Sequence, residues 1–290
     1  MRTKTAQYLF IGILALAAVA AVLTLAFAPL RQDQGGISAA VLQAGAPFLY
    51  SFTINGILNE AGSEAQTTSP YWWLNSGGKL ILKDGIGMTV QGSLPIQDLW
   101  RVLYAKNNSL DTDLGYHPQN LFRLVSRNSW KNPRVEANFY IAADNLSASP
   151  NRNQSNGLLL FSEYQDSSTL YYEGIRVDGT AVIKKKYKGT YYTMAQKQIF
   201  PGTYNLVTNP NLLPHNEWIS LRAETVNASG TTTIRLYMRR AGETAWTQLL
   251  SATDNGSQYG NTPVIDGSNR VGIRTDFMDV WFDNFQAQEL

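Results

Sequence analysis

The segment that decides the fold spans residues 157–187 and reads GLLLFSEYQDSSTLYYEGIRVDGTAVIKKKY. An apolar run at residues 157–161 is followed by polar residues that predict a turn. A second run, at residues 170–177, is rich in aromatic and β-branched residues, which is typical of strands. Asp178-Gly179 is a strong β-hairpin signal, and a returning strand follows it. Lys188-Gly189 then turns the chain into one more strand. The pattern predicts a β-meander within an antiparallel sheet.

The meander is basic and rich in tyrosine. Between residues 170 and 200 the chain has six basic side chains, two acidic side chains and five tyrosines, which gives a local charge of +4. Successive strand residues point to opposite faces and unpaired lysines are costly to bury, so we expect one exposed face to hold several of these side chains. Its predicted members are Tyr172, Arg176, Lys184, Lys186 and Tyr192. Such a face suits an anionic or sugar-like ligand, while a solvated face with tyrosine–lysine packing is the alternative.

The cleanest alternation of apolar and polar residues in the chain lies at residues 134–141. Apolar side chains at every second position predict a strand with one face on the core, and the polar positions between them predict an exposed face. We expect Arg134, Glu136 and Asn138 on that exposed face to bind the ligand together with the basic residues of the meander.

Length and composition favour one large β domain. The chain has 290 residues, of which 44% are hydrophobic and only 16% charged. About a dozen short strand patterns and no convincing soluble helix predict an all-β sandwich of two antiparallel sheets. A single β domain of roughly 200–250 residues is a normal size, so we place one folded domain at residues 47–290.

The amino-terminal segment predicts a membrane anchor. Arg2 and Lys4 precede residues 8–30, an almost unbroken apolar run that exceeds the ~20 residues of a membrane-spanning helix. Positive charge before the run predicts that the amino terminus stays inside the cell and the folded domain lies outside it. A cleaved signal peptide is the alternative, because residues 26–28 (Ala-Phe-Ala) resemble a cleavage site, but Pro29 directly after them disfavours cleavage.

The predicted organisation is an anchor or signal peptide at residues 1–30, a linker at residues 31–46 and the folded domain at residues 47–290. The expected location is the cell membrane, in a single pass with an extracytoplasmic domain, whereas cleavage would predict secretion. Residues 31–290 hold 22 basic and 22 acidic side chains, so no nucleic-acid partner is expected. The chain has no cysteine, which excludes disulfides, thiolate metal sites and a cysteine nucleophile.

Two segments carry a resemblance to a known fold family. Residues 271–285 read VGIRTDFMDVWFDNF, and residues 170–179 read LYYEGIRVDG. They resemble the closing strand and the ligand-binding hairpin of concanavalin A-like lectin/glucanase jelly rolls, and the likeness covers roughly residues 48–290. The resemblance implies a jelly-roll sandwich with a polysaccharide or glycan partner. Lectins, hydrolases, lyases and adhesion modules all use this fold, so the resemblance does not imply one activity.

Glycoside hydrolases of the laminarinase type carry a Glu-x-Asp-x-x-Glu strand. Their two catalytic carboxylates lie about 5 Å apart, as a retaining mechanism needs. This chain lacks that motif, because Glu163-x-x-Asp166 and Asp276-x-x-Asp279 have other spacings. A glycoside hydrolase is therefore not expected.

Alginate-lyase-like enzymes match the chain more closely. Arg134-Val135-Glu136 resembles their Arg-x-Glu strand, and PGTYN at residues 201–205 resembles the end of their late Lys-Ala-Gly-x-Tyr-Asn strand. The resemblance implies β-elimination on a uronic-acid polymer, in which cations neutralise the uronate carboxylate and Tyr204 transfers the proton. Their Gln-Ile-His segment is not matched, because Phe200 stands in place of the histidine.

The resemblance also implies a metal ligand. Domains of this superfamily often hold a structural calcium ion through an aspartate on the last strand, and Asp283 matches that position. Calcium takes about six to eight oxygen ligands, so backbone carbonyls of a nearby loop would have to contribute. The alternative is that Asp283 caps a turn or pairs with Arg274. No organic cofactor is expected.

The sequence thus predicts a membrane-anchored, extracytoplasmic carbohydrate-binding domain that acts on cell-surface or extracellular polysaccharide. A polysaccharide lyase that cleaves a uronic-acid polymer is the first alternative. A non-enzymatic structural surface or adhesion protein is the second.

Overall fold

The computed structural model describes residues 45–290. The predicted anchor at residues 1–30 and most of the predicted linker lie outside the described residues. Among residues 45–290, no helix has the length and apolar composition of a membrane span.

Sixteen strands within residues 45–290 form two antiparallel sheets, which confirms the predicted all-β sandwich. The strands are β1 Phe48–Tyr50, β2 Gly56–Asn59, β3 Trp72–Ser76, β4 Lys79–Lys83, β5 Ile86–Met88, β6 Phe122–Ser126, β7 Pro133–Asp144, β8 Gly157–Asp166, β9 Thr169–Arg176, β10 Thr180–Tyr187, β11 Thr190–Gln198, β12 Trp218–Ala228, β13 Thr231–Arg240, β14 Thr247–Asp254, β15 Arg270–Thr275 and β16 Met278–Glu289. The back sheet has the order β14-β13-β12-β7-β16-β5-β4-β2, with β1 paired to β16. The front sheet has the order β11-β10-β9-β8-β15-β6-β3.

The main core lies between the two sheets. The apolar positions of the alternating segment in β7 are buried and face it: Val135, Ala137, Phe139 and Ile141. Phe282 of β16 stacks on Phe122 of β6 with ring centroids 5.2 Å apart, so this pair joins the back sheet to the front sheet. Full burial of each such side chain contributes about 1.5–3 kcal/mol. The apolar side chains that the alternation predicted therefore form the core that stabilises the two packed sheets.

The outer face of the front sheet carries a second apolar cluster, the outer cluster. It consists of Val125, Leu159, Phe161, Tyr164, Leu170, Tyr172 and Val182, with Trp73 packed against them. Leu158 and Leu160 point into the main core, while Leu159 and Phe161 point outward. Since β8 is buried on both faces, residues 157–161 are continuously apolar instead of alternating.

A short helix departs from the sequence prediction, which contained no soluble helix. Helix α1 spans Leu99–Asn107, and Asp98 caps it by accepting a hydrogen bond from the Trp100 N–H at 2.9 Å. Two 3₁₀ helices, at Glu64–Gln66 and Pro118–Leu121, complete the described helical elements. Only Tyr104 of α1 is buried, so the segment lacks the apolar periodicity by which a helix is detected in sequence.

Candidate functional site

A cavity of about 400 Å³, the main cavity, lies on the outer face of the front sheet. Strands β8, β9, β10, β11 and β15 contribute its floor and wall. Its rim consists of Asp111, Asn151, Asn153, Ser155 and Asn156. The volume falls within the roughly 300–1,000 Å³ that small-ligand sites occupy.

The floor of the main cavity is apolar. Leu159 of β8, Tyr172 of β9 and Val182 of β10 line it, and all three belong to the outer cluster. Gly174 lies between Leu159 and Val182 in one row of the sheet. A Cβ on Gly174 would come within 2.1 Å of the Leu158 carbonyl oxygen and within 2.9 Å of the Leu159 side chain. Glycine at this position therefore allows β8 and β9 to approach closely beneath the cavity.

The wall of the main cavity is built on Arg274. Its Nε donates to both carboxylate oxygens of Asp276, at 2.9 and 3.2 Å. Its Nη1 donates to the hydroxyl oxygens of Tyr172, at 3.1 Å, and Tyr191, at 3.3 Å. The two tyrosine rings stack with centroids 6.2 Å apart. One guanidinium thus fixes both phenols, and the hydrogen bonds to a charged donor are of the stronger kind.

Lys184 is the cation of the main cavity that has no carboxylate partner within residues 45–290. It lies opposite Tyr172 in the register of β9 and β10 and points to the outer face, because Ile183 faces the core. Burial, and then the charge of Arg176, lower the pKa of the Lys184 ammonium. Its Nζ lies 5.9 Å from the Tyr191 ring centroid. The site therefore presents a positive charge that a bound ligand can neutralise.

Tyr191 has an unusual acidity among the tyrosines of the described region. Burial raises the pKa of its hydroxyl, but the positive charges of Arg274 and Lys186 outweigh burial and leave the pKa below its ordinary value. The side chain is 47% exposed, so a ligand can reach it. A phenol with a lowered pKa beside cations is suited to accept a hydrogen bond or a proton.

The rim of the main cavity is rich in side-chain amides and hydroxyls. Asn151 Nδ2 and Ser149 Oγ both donate to Asp111 Oδ1, at 2.9 and 2.6 Å. Asn156 Oδ1 accepts from the Asn153 N–H at 2.6 Å. These bonds order the rim segment and place polar side chains at the mouth of the cavity.

The predicted residues of the meander divide among several environments. Tyr172 and Lys184 line the main cavity. Arg176 pairs with Asp178 and donates from Nε to the Gln154 carbonyl at 3.1 Å, and Lys186 Nζ donates to the Ser167 carbonyl at 2.9 Å. Tyr192 lies opposite the core-facing Lys185, on the other face of β11 from Tyr191. The structure therefore brings four of these five residues to one face.

The polar residues of β7 lie elsewhere. Arg134 pairs with Glu224 at 2.8 Å, Glu136 accepts from Arg222 Nε at 2.7 Å, and Asn138 Oδ1 accepts from the Ser220 hydroxyl at 2.7 Å. All three are on the outer face of the back sheet, so the main core separates them from the meander. The prediction that the β7 residues and the meander residues share one face is wrong. Alternation predicts which face of its own strand a residue occupies, but not to which sheet the strand belongs.

Tyr204 lies in the segment after β11 and does not line the main cavity. It borders a depression of about 200 Å³ that shares Asn153 and Ser155 with the rim of the main cavity. Burial raises the pKa of the Tyr204 hydroxyl, which makes it a weaker acid than an ordinary tyrosine. Tyr204 therefore adjoins the rim of the main cavity without lining its floor.

Asp283 lies on β16 in the back sheet. Its two carboxylate oxygens accept from the backbone N–H of Asn284 at 2.6 Å and from Asn284 Nδ2 at 2.7 Å. Within the described part of the chain, no group of three or more histidine, aspartate or glutamate side chains is arranged to hold a metal ion. Asp283 thus binds Asn284 at an irregularity within β16, and Arg274 pairs with Asp276 instead. These contacts do not supply a calcium ligand set, and calcium binding stays a prediction.

Sequence reasoning missed Tyr191, Arg274 and Asp276. Arg274 and Asp276 are two residues apart at the end of β15, a spacing that predicts one face. No local pattern indicated that β15 pairs with β8, which brings Arg274 opposite Leu159. The sequence analysis predicted Tyr192 as a site residue instead of Tyr191, because alternation alone does not say which of two adjacent tyrosines faces outward.

Comparisons with known proteins give structural neighbours only. No family profile matches the sequence, and no curated protein matches it significantly. The carbohydrate-binding module CBM66 from Bacillus subtilis is 12% identical, with a TM-score of 0.41 over 75% of this chain and 95% of that chain. A Bacillus subtilis protein of unknown function with a galectin-like fold is 12% identical, with a TM-score of 0.45 over 85% and 97%. Winged bean acidic lectin, complexed with methyl-α-D-galactose, is 9% identical, with a TM-score of 0.40 over 83% and 97%.

These three neighbours are described as a carbohydrate-binding module, a protein with a galectin-like fold and a lectin. Each TM-score is below 0.5, so we base the functional proposals on the contacts within this chain.

Proposed function

We propose that the domain binds carbohydrate in the main cavity. The observation that carries this proposal is an apolar, tyrosine-lined floor directly beside a fixed group of hydrogen-bonding side chains. Sugars present apolar C–H faces and many hydroxyls, so they need both kinds of surface at once. Small-ligand sites combine an apolar lining with a few placed polar groups in this way.

The polar groups of the main cavity are held in place before any ligand binds. Arg274 is clamped between Asp276 and the hydroxyls of Tyr172 and Tyr191. The rim amides near Asp111 are tied by hydrogen bonds to one another. A site ordered in advance loses little conformational entropy on binding, which favours recognition of a flexible glycan.

The proposed setting is the cell surface. The apolar run at residues 8–30, preceded by two basic residues, supports a single-pass anchor with the binding domain outside the cell. A domain so placed would act on cell-surface or extracellular polysaccharide. The rival is a structural surface protein that binds no free glycan.

A glycan array probed with the full-length chain in detergent tests the proposal. Binding to at least one neutral or acidic glycan is expected, and Tyr191→Ala should remove it because that variant opens the wall beside Arg274. Tyr237→Ala is the matched control, since Tyr237 contacts Glu224 on the back sheet. Absence of binding to every glycan, together with ordered self-assembly, would favour the structural rival.

Lyase activity is a second candidate because of Tyr191. In β-elimination a base takes the proton next to the uronate carboxylate, its electron pair forms a C=C bond, and the glycosidic oxygen leaves with a proton. Cations stabilise the carboxylate while it turns into an enolate. Tyr191 has a lowered pKa beside Arg274 and Lys186. Burial of Tyr204 outweighs the nearby charge of Arg152 and leaves the pKa of its hydroxyl raised.

A further inference from the structure

A second cavity of about 240 Å³ adjoins the main cavity on the outer face of the front sheet. Leu121, Arg274 and Asp276 line both cavities, so the Arg274–Asp276 pair lies where they meet. Asn75, Ser76, Arg123 and Ser167 complete the lining of the second cavity. The two cavities therefore form one continuous, two-part depression.

Arg123 is the cation of the second cavity. It lies directly opposite Arg274 in the register of β6 and β15, on the outer face between the core-facing Phe122 and Leu124. Its Nη1 donates to Asn75 Oδ1 at 2.9 Å, while its Nε is buried and has no acceptor in the described part of the chain. A buried donor that belongs to a charged group and lacks an acceptor is unfavourable. The guanidinium of Arg123 lines the second cavity, so an anionic oxygen of a ligand bound there can accept a hydrogen bond from it.

The remaining charges do not neutralise Arg123 or Lys184. Asp276 is paired with Arg274, and Asp178 is paired with Arg176. The other carboxylate that lines the main cavity is Asp111, and it accepts hydrogen bonds from Ser149 and Asn151. Within residues 45–290, each of the two joined cavities thus holds one cation without a carboxylate partner.

Lys186 adds to the positive potential between them. Its Nζ donates to the carbonyl of Ser167, a residue that lines the second cavity. The same ammonium lies 4.7 Å from the ring centroid of Tyr191, which lines the main cavity. The positive charge therefore extends across both parts of the depression.

We infer that the site binds an acidic glycan of at least two sugar residues, with one anionic group near Lys184 in the main cavity and another near Arg123 in the second cavity. The inference rests on the proposed carbohydrate binding and adds the charge and minimum length of the ligand. The shared chemistry is a carboxylate or a sulfate ester, since both offer oxygens that accept from Lys and Arg.

The test is calorimetric titration of the full-length chain, in detergent, with three kinds of probe. They are galacturonic acid and its di- and trimer, the methyl esters of the same compounds, and sulfated galactan oligosaccharides. The methyl esters keep the sugar rings and remove the charge. Tighter binding of the free acids than of their methyl esters supports a carboxylate ligand, and tighter binding of the sulfated oligosaccharides supports a sulfate ligand.

Variants separate the two parts of the site. Lys184→Gln should weaken binding of every acidic probe roughly ten- to a hundred-fold, as expected for loss of a charge-assisted hydrogen bond. Arg123→Gln should weaken the dimer and trimer by a similar factor and leave the monomer unchanged, because the monomer occupies the main cavity. Arg123→Lys, which keeps the charge, should retain most of the dimer affinity. Lys83→Gln is the control, because Lys83 is exposed on β4 of the back sheet.

Three results would overturn the inference. Equal affinity for neutral and acidic probes removes the anionic ligand but leaves carbohydrate binding in place. If Arg123→Gln binds the dimer as tightly as the wild type does, the second cavity does not bind an anionic group of the ligand. Absence of binding to all three kinds of probe overturns this inference, and absence of binding to every glycan of the array overturns the proposed function as well.

Discussion

The ammonium of Lys185 lies 2.6 Å from the carboxylate of Asp254, and neither side chain is exposed. Lys185 also donates to the carbonyls of Thr262 and Pro263, at 3.0 and 2.7 Å. Asp254 Oδ2 accepts from the Tyr171 hydroxyl at 2.7 Å. This network ties β10, the end of β14 and the segment that follows β14 together inside the sandwich.

Removing one partner of this pair should destabilise the fold strongly. Lys185→Met leaves the Asp254 carboxylate buried without a cation, and breaking a buried pair in this way costs about 3–5 kcal/mol. Denaturant unfolding measures the loss. Lys83→Met, at an exposed lysine, is the control and should change the unfolding free energy by less than about 1 kcal/mol. A loss for Lys185→Met as small as that of the control would contradict the role assigned to the pair.

The sequence predicted the outward lysines but not the buried one. Ile183 faces the core, so alternation correctly placed Lys184 and Lys186 outside. The same alternation puts Lys185 on the core side, where only a partner makes its burial tolerable. That partner, Asp254, is the last residue of β14, which is distant in sequence. No local pattern in residues 157–187 identifies it.

From the sequence, only those residues of the candidate site that lie within one continuous segment could be predicted. Tyr172 and Lys184 belong to the meander, and the meander was read directly from turn signals and alternation. Arg274 reaches them because β15 inserts between β8 and β6, which is a property of the sheet order. Arg134 was assigned to the wrong sheet for the same reason, since strand order is a tertiary property.

The stability of the domain should fall as pH rises from about 5 to 8. Glu173 is fully buried, and burial, with the nearby charge of Glu163 adding to it, raises the pKa of its carboxyl to about 8 despite a hydrogen bond from Ser162. Between the ordinary pKa of a glutamate and this raised value, the folded state keeps a proton that the unfolded state releases. Stability is therefore fully present at low pH and is lost, by at most about 1.4 kcal/mol per pH unit, as pH rises through that window.

Glu173→Gln mimics the protonated carboxyl and should reduce this slope when unfolding is followed at pH 5, 6.5 and 8. Burial raises the pKa of Glu163 to about 7, and the hydrogen bond to Asp144 raises the pKa of His215, so both contribute the same trend. The variant should therefore retain a smaller slope. A flat wild-type profile, or an identical slope in the variant, would show that Glu173 is ionised in the fold.

If the domain is a lyase, Tyr191 of the main cavity should transfer the proton. Absorbance of the unsaturated product is measured with alginate, glucuronan and pectate. Tyr191→Phe should lower the rate on the order of 10²–10⁴-fold, as expected for loss of a general acid–base. Tyr204→Phe is the matched comparison and should leave most activity. A loss confined to Tyr204→Phe would restore the sequence-based assignment, and a wild type that is silent on every uronan would rule out the lyase.

The amino-terminal segment should remain on the mature protein. Pro29 directly follows the cleavage-like residues 26–28, and the apolar run is longer than a signal peptide needs. Membrane fractionation with terminal sequencing should find the chain in membranes with its original amino terminus. A mature chain that begins near residue 29 or 40 and is released to the medium would contradict the anchor.

The most direct test of carbohydrate binding in the main cavity is to block that cavity. Ser155 lies on its rim, so Ser155→Trp fills the mouth without altering the floor or the Arg274 group. Ser251→Trp places the same side chain at an exposed position of β14 on the back sheet and serves as the control. In titrations of the full-length protein with the tightest glycan from the array, Ser155→Trp should weaken binding by about tenfold or more, and Ser251→Trp should bind as the wild type does. Equal affinity of Ser155→Trp and the wild type, with both proteins folded, would contradict binding in this cavity.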